Sequence, residues 1–570
     1  MHRSILTNLS RVGLRVGLAL ALGAAAAAVH AQAVRGNPLD QIPPAPLPAP
    51  AAPAATTLQV QPPAGAAEGK LDQRVTATRI DIEGVTALPF QNIAALFAGL
   101  VGKPMTVAQL VAVTKDATAQ YRDSGRPLSF VYLPDQTFAD GVVRVVAVEG
   151  FIASVRIEGD AGPDEALLRG MAQRLTDERP LTLASFERVT QLMSRLPGLT
   201  VSADASLPGT TDGATALVLK VTRKPYNVSV GADLRQPTAR AVLTGVVNDP
   251  MVPGSQLSAS TFLGDYAREK LLTVGYAQVV GFDGLVLKAN FSSYRGYPDA
   301  QYRKGDSLER FNTNRRLDLS ASYALLMSAR SSVTLSGGFY GVDNMDRYTV
   351  PLSGAQLVQD TRVRALFAQL AYADNQPDRT RAANVLVAQG FDGAGALAEN
   401  RSNVPGLSGR GNVSLGFTRL AVEASQRDRF ANQWGTTITV GAQYSGQSLP
   451  SSEQTSFGGS RFARGYAPGA AAGDSGYGGG LELNRVFKLD GNWIKQVEPY
   501  LLVEAASVST HAGTPSPEKL RSVALGVRVS DRKYYNVDVA LAKPTGDASS
   551  DNPQRKLRLS LMLSYQLAAD

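Results

Sequence analysis

Imidazole and thiol, the side chains that most often hold transition metals or act as base and nucleophile, are almost missing from this sequence. It has three histidines, His2, His30 and His511, and no cysteine. A zinc site needs three or four nitrogen, sulfur or carboxylate ligands, and a Ser-His-Asp or Cys-His arrangement needs an imidazole beside its nucleophile. His2 and His30 fall in a stretch ordered like a secretory signal, so an exported chain would keep one imidazole. Carboxylates are plentiful, but no pair is singled out by spacing for acid–base work. Gly102-Lys103 has the Gly-Lys of a phosphate-binding loop, yet Pro104 stands where the Ser or Thr that reaches magnesium should be. We therefore expect no enzyme, no metal and no cofactor. The net charge of +8 could attract nucleic acid, but the basic residues are scattered and never massed, as on an ordinary solvated surface. No nucleic-acid partner is expected.

Without a catalytic constellation, the elements themselves carry the information. Arg3, Arg11 and Arg15, the uncharged run Val16 to Val29, and Ala31-Gln32-Ala33 follow the order of a signal peptide, placed at residues 1–33. No later stretch reaches the roughly 18 apolar residues of a spanning helix, so a membrane crossing would have to be made of strands. Residues 34–76 are Pro and Ala rich and read as an extended linker. From residue 77 short strands and amphipathic helices take over. Ile82-Glu83-Gly84 ends one strand-like run and Ile157-Glu158-Gly159 ends another, each followed by two helical segments and then by strand-rich sequence. In the first unit Phe90, Ile93, Phe97 and Leu100 share a helix face, and Leu110, Ala117 and Tyr121 share the next. The repeat predicts two βααββ modules, at 77–150 and 151–223.

After Lys224 the period changes to two. Leu317, Leu319, Ala321 and Tyr323 alternate with Asp318, Ser320 and Ser322; Ile438, Val440, Ala442 and Tyr444 alternate with Thr437, Thr439, Gly441 and Gln443. Leu557, Leu559, Leu561, Leu563, Tyr565 and Leu567 form one side of the last strand. The polar side is rich in Ser, Gly, Asn and Gln, which suits a hydrated lumen better than the outer face of a soluble sandwich. Residues 224–570 are expected to form a transmembrane antiparallel β-barrel of about 16 strands, roughly 21 residues for each strand with its connection. Long loops are expected at 297–314, 401–411 and 453–478.

Two phrases in the modules carry a resemblance. LPDQTFADGVVRVVAVEG (Leu133 to Gly150) resembles the end of the first POTRA domain of the TpsB transporters, the ShlB/FhaC/HecB family of haemolysin secretion and activation proteins. RPLTLASFERVTQLMSRLPG (Arg179 to Gly198), with Leu207-Pro208-Gly209 after it, is similar to the family's second POTRA domain. The order of parts matches over nearly the whole chain after the signal. The resemblance implies the outer-membrane pore of a two-partner secretion system, with two periplasmic α+β POTRA domains before the barrel. Its implied partners are a large secreted exoprotein of adhesin or haemolysin type, outer-membrane lipid, and the barrel assembly machinery and periplasmic chaperones that deliver barrels. Substrate capture is expected at the first POTRA domain, and export proceeds without ATP. A BamA-type assembly factor shares this plan but usually has more modules, whereas a passive solute porin would leave the modules unexplained.

The resemblance also names a site. In the family the sixth extracellular loop folds into the lumen and carries an Arg-Gly-Phe/Tyr tip, matched here by FGGSRFARGYAPG (Phe457 to Gly469) with Arg464, Gly465 and Tyr466. Arg295-Gly296-Tyr297 repeats the tripeptide at the end of a strand, without the flanking Gly458-Gly459 and Pro468-Gly469. The family holds its tip arginine with an acid in a pattern resembling Phe-x-Asp-x-Gly, which maps onto Leu502 to Ala506 and makes Glu504 the expected barrel-wall partner. Alternation puts Leu501, Val503 and Ala505 on one face and Glu504 on the lumen face, where a guanidinium–carboxylate contact is favourable. Two departures stand out. The region after the signal is too short and proline-broken for the family's plug helix, and the sequence closes on Leu567-Ala568-Ala569-Asp570 where the family usually has a terminal aromatic residue.

Overall fold

The computed structural model describes residues 56–59 and 71–567, apart from 209–210, 235–238, 265, 299–307, 512 and 514–517. The expected signal peptide, and most of the linker in which a plug helix would lie, fall outside those residues. The first module runs β1 (Arg79–Glu83), α1 (Phe90–Ala98), α2 (Val107–Asp123), β2 (Phe130–Tyr132) and β3 (Val142–Val148). Its sheet has the order β1-β3-β2. Helix α2 starts where it does because Thr106 and Gln109 form a capping box, each side chain bonding the other's backbone N–H. Ile93, Phe97, Leu110 and Tyr121 then pack on Val143 and Val145, the faces that the helical spacing picks out. The Glu149 carboxylate accepts the N–H groups of Thr86 and Ala87 (2.8 and 2.7 Å) and the Tyr121 hydroxyl (2.8 Å), pinning the turn between β1 and α1.

The second module runs β4 (Phe151–Gly159), α3 (Glu165–Thr176), α4 (Leu183–Met193), β5 (Leu199–Ser206) and β6 (Ala214–Arg223). Strand β6 lies between β4, in parallel, and β5, antiparallel, and the linker segment Thr56–Gln59 adds to the free edge of β5 in parallel. A core of Leu168, Met171, Phe186, Met193, Leu217 and Leu219 joins the two helices to the sheet.

Sixteen strands then close into a barrel: β7 (Tyr226–Asp233), β8 (Arg240–Asn248), β9 (Ser255–Leu263), β10 (Glu269–Val280), β11 (Leu285–Gly296), β12 (Glu309–Met327), β13 (Ser331–Val350) and β14 (Ala355–Asn375) form the first half. The second half is β15 (Arg379–Gly390), β16 (Thr418–Arg429), β17 (Trp434–Tyr444), β18 (Ser475–Arg485), β19 (Gln496–Ser509), β20 (Lys519–Ser530), β21 (Tyr535–Pro544) and β22 (Arg558–Gln566). Neighbours pair antiparallel, and β7 closes on β22 with Val230 opposite Tyr565. Short pieces at 397–402, 409–410 and 487–488 pair beside these strands. Alternation sorts the side chains as a membrane requires: Leu559 is 60% exposed on the lipid face while its neighbour Ser560 is 3% exposed. The loop expected over 297–314 is shorter than its composition suggests, because β12 already begins at Glu309. Arg310, Asn312 and Asn314 face inward there and bond Asp346 and Asn344 on β13, so a polar stretch is strand rather than loop.

The second module sits on the turn end of the barrel, which is therefore the periplasmic end. Arg174 and Arg188 of its helices both reach Asp283 in the β10–β11 turn, and Arg188 also donates to the Ala324 carbonyl at 3.0 Å. Phe282 lies flat where Gly170 leaves space: a Cβ there would come within 2.3 Å of the ring.

A loop folded across the lumen

Residues 445–474 connect β17 to β18 and form the sixth connection on the extracellular side. The loop folds inward. Its limbs pair as a short ribbon, Thr455–Phe457 against Ala471–Gly473, and its tip is forced into a tight reversal at Phe462 and Ala463, with φ of 54° and 59°. Two successive non-glycine residues in the left-handed region are costly, so the surroundings must hold them. They do: Phe462 rests on Gly441 and Gly478 of the barrel wall, where an added Cβ would meet the ring at 3.2 and 2.7 Å. The glycines of this lumen face thus form a seat for an aromatic ring.

The tip residues anticipated from sequence, Arg464, Gly465 and Tyr466, all lie against β19, β20 and β21. Gly465 touches backbone directly, since a Cβ would stand 2.6 Å from the Pro544 nitrogen. The Tyr466 hydroxyl donates to the Asp547 carbonyl at 2.8 Å. Glu504 is beside the tip, 6% exposed, but it meets Arg464 through the backbone: the Arg464 N–H donates to Glu504 Oε2 at 2.7 Å, and the Ser522 hydroxyl adds a bond of 3.1 Å. The Arg464 guanidinium passes on to β21. Its Nη1 donates to the Tyr500 hydroxyl at 2.5 Å and to Asp538 Oδ2 at 3.3 Å, and Tyr500 donates to Asp538 Oδ1 at 2.7 Å. The contact expected with Glu504 is therefore divided, with Glu504 holding the peptide and Asp538 the charge. Arg528 extends the network, 4.2 Å above the Tyr500 ring and bonded to Glu482 and Glu498.

The base of the loop has clamps of its own, which the sequence reading missed. Glu453, 1% exposed, accepts the Tyr340 hydroxyl of β13 at 2.7 Å and lies 3.3 Å from Arg419 of β16. Asp474 accepts the Leu449 N–H (2.8 Å), the Gln454 amide (3.1 Å) and the His511 N–H (2.8 Å). The base grips β13 and β16 while the tip grips β17 to β21, so the loop lies inside the lumen against successive strands of the wall. A cavity of about 1000 Å³ remains beside it, lined by Glu423, Arg461, Arg464, Glu482, Glu504 and Arg528 among others.

Fold and loop define a class: an outer-membrane transporter barrel with a POTRA domain on its periplasmic side. Residues 75–150 match the POTRA domain of ShlB type, and residues 258–529 match the haemolysin secretion/activation protein family ShlB/FhaC/HecB. The chain belongs to that family and is an outer-membrane pore of two-partner secretion. The outer membrane transporter CdiB of Escherichia coli O6:K15:H31 is 25% identical over 475 residues, 77% of each chain. The heme/hemopexin transporter protein HuxB of Haemophilus influenzae is 20% identical over 497 residues, 83% of this chain and 84% of its own. Among solved structures, CdiB from Escherichia coli superposes with a TM-score of 0.66 at 18% identity, covering 89% of this chain and 94% of that one. BamA from Haemophilus ducreyi lacking POTRA domains 1–3 gives 0.51 at 14% identity, covering 86% and 100%, a likeness of fold.

Proposed function

We propose that this pore takes one large exoprotein, unfolded, from the periplasm, captures it on its modules, and passes it through the lumen beside a displaceable loop. The observation that carries this reading is the loop itself. It lies inside the lumen, and polar contacts contribute to holding both its tip and its base, so a passing hydrated chain can replace those contacts with bonds of its own. Residues 77–150 and 151–223 act as two periplasmic POTRA domains; the second is supported by its repeat of the strand–helix–helix–strand order of the first. Capture proceeds by β-augmentation, an extended client segment adding to an open sheet edge. Arg464, Gly465 and Tyr466 form the latch, with Glu504 as its partner on the wall. No nucleotide drives the step; folding outside removes the threaded chain from equilibrium. Outer-membrane lipid surrounds the apolar belt, and periplasmic chaperones and the barrel assembly machinery deliver the chain there. The protein carries out no chemistry on its client.

Deleting residues 77–150 tests capture: the barrel should still reach the outer membrane, and the exoprotein should vanish from the medium. Unchanged secretion overturns the capture step. Loss of the whole chain should remove one large protein from the medium; depletion of many barrels would instead indicate an assembly factor, and slowed solute uptake a porin.

A further inference from the structure

Cations along the length of the lumen are neutralised where they stand. Arg240 pairs with Glu269, Arg310 with Asp346, Arg419 with Glu453, and Arg528 with Glu482. At the periplasmic mouth the pattern breaks. A cavity of about 830 Å³ lies between the second module and the barrel, and its charged lining residues are Arg195, Lys224, Arg330 and Lys533, with no carboxylate among the lining. Among the described residues, Arg195, Lys224 and Arg330 have no acidic side chain at ion-pair distance. They come from three different elements: the end of α4, the β6–β7 junction and the β12–β13 turn. The neutral lining supplies amides and hydroxyls, including Asn227, Gln256 and Ser258. Gln191 adds a buried donor, 6% exposed, whose Nε2 has no acceptor. Cations and spare N–H groups facing one chamber ask for an acceptor-rich occupant.

We propose that this vestibule receives acidic segments of the unfolded client, with Asp and Glu side chains against Arg195, Lys224 and Arg330 and backbone carbonyls against the amide donors. The inference rests on the reading of the chain as a protein-secretion pore and adds which client segments enter the mouth most readily. A cavity with low-dielectric walls focuses the field of its charges, so the cations attract an approaching chain before it touches them. The lining faces the lumen rather than the lipid belt, which makes a polypeptide rather than a lipid headgroup the occupant.

The test uses the full chain in planar bilayers, with oligo-glutamate or oligo-lysine of equal length added on the periplasmic side. Oligo-glutamate should block the current at about 10-fold lower concentration than oligo-lysine, and the preference should fade near 1 M salt, where the screening length is about 3 Å. The triple variant Arg195→Glu, Lys224→Glu, Arg330→Glu should invert the preference; the milder pair Arg195→Gln, Arg330→Gln should weaken it, with heat-modifiable gel migration reporting a folded barrel for both. Equal block by the two peptides, or an unchanged preference in the reversed variant, overturns the proposal. So does a preference that appears only when the bilayer contains phosphatidylglycerol. If deleting 77–150 abolishes secretion while no peptide preference is found, the vestibule assignment fails and the secretion reading stands. If that deletion leaves secretion intact, the capture reading fails whichever peptide blocks.

Discussion

The two ends of the lumen loop are held by different physics. At the tip, close backbone approach does the holding: Gly465 lies against Pro544, Phe462 on two wall glycines, and the Arg464 N–H on Glu504. The Arg464 guanidinium is one member of a network in which Tyr500, Asp538 and Arg528 already satisfy one another. At the base, two buried carboxylates do the holding: Glu453 joins Tyr340 and Arg419, and Asp474 accepts from Leu449, Gln454 and His511. The tip is a shaped contact with redundant charges. The base is held by buried carboxylates, Glu453 pairing with an arginine and Asp474 with backbone and amide N–H groups. On the proposed reading the loop is expected to hinge at the base and let go at the tip, because a network that can re-pair internally loses little when its guest leaves.

The strongest way to break the comparison is at Gly465. A side chain there overlaps the Pro544 backbone, which has no rotamer to yield, so Gly465→Val should unseat the whole tip. We expect raised conductance of the purified pore and impaired secretion; normal values in both would mean that the tip does not rely on backbone contact. Next comes the base. Glu453→Ala leaves Arg419 buried without its partner, a loss of about 3 kcal/mol by comparison with other broken buried pairs. The expected result is a wider spread of conductance states with the barrel still folded on gels. An unchanged recording would remove the hinge from the description.

The pair Asp538→Asn and Glu504→Gln then separates charge from backbone holding. Asp538→Asn removes the anion facing both Arg464 and Arg528 and should cost about 2 kcal/mol of tip anchoring. Glu504→Gln keeps an acceptor for the Arg464 N–H and should cost about 1 kcal/mol or less. Fluctuations between blocked and open current levels would rank them. The reverse order would assign the principal charge contact to Glu504, as the resemblance alone implies.

This ranking marks what the sequence could and could not disclose. Alternation along 501–505 and around Ile438 and Leu559 was legible, since a membrane face imposes a period of two that needs no knowledge of the partner strand. The tip was legible as a motif in glycine-rich surroundings. Glu504 was placed on the correct face, but no local rule says whether its carboxylate meets a side chain or a peptide. Asp538 did carry a signal, an acid on the lumen face between Val537 and Val539, with nothing to tie it to Arg464. Glu453, Tyr340 and Arg419 are joined only by the inward fold of the loop, with the carboxylate and the tyrosine 113 positions apart in sequence. Such pairings follow from register and curvature. In the first module the VEG phrase was read as a family mark; its Glu149 turns out to be the ligand of a backbone turn.

The smallest expected effect lies at the joint between the second module and the barrel, and it sharpens the contrast with the loop by showing a carboxyl whose protonation, rather than its charge, favours the contact. Asp164 is fully buried, and its Oδ1 accepts the Gly254 N–H at 2.7 Å, a donor shared with Asp249 at 3.0 Å. Burial, and then the neighbouring Asp249 charge, push its carboxyl up to about 6, while Arg223, 3.7 Å from Asp249, pulls only weakly the other way. A carboxyl raised in the docked state favours docking when protonated. Its contribution is complete below about pH 4 and is lost as pH rises through about 6. Module and barrel should therefore hold together more tightly at pH 5 than at pH 8, as read from spin-label distances between them. Asp164→Asn supplies a permanent neutral donor toward Asp249 and should flatten that pH dependence. The other ties, Arg174 and Arg188 on Asp283, still join module to barrel, so the joint loosens without opening; an unaltered pH profile in Asp164→Asn would assign the titration elsewhere.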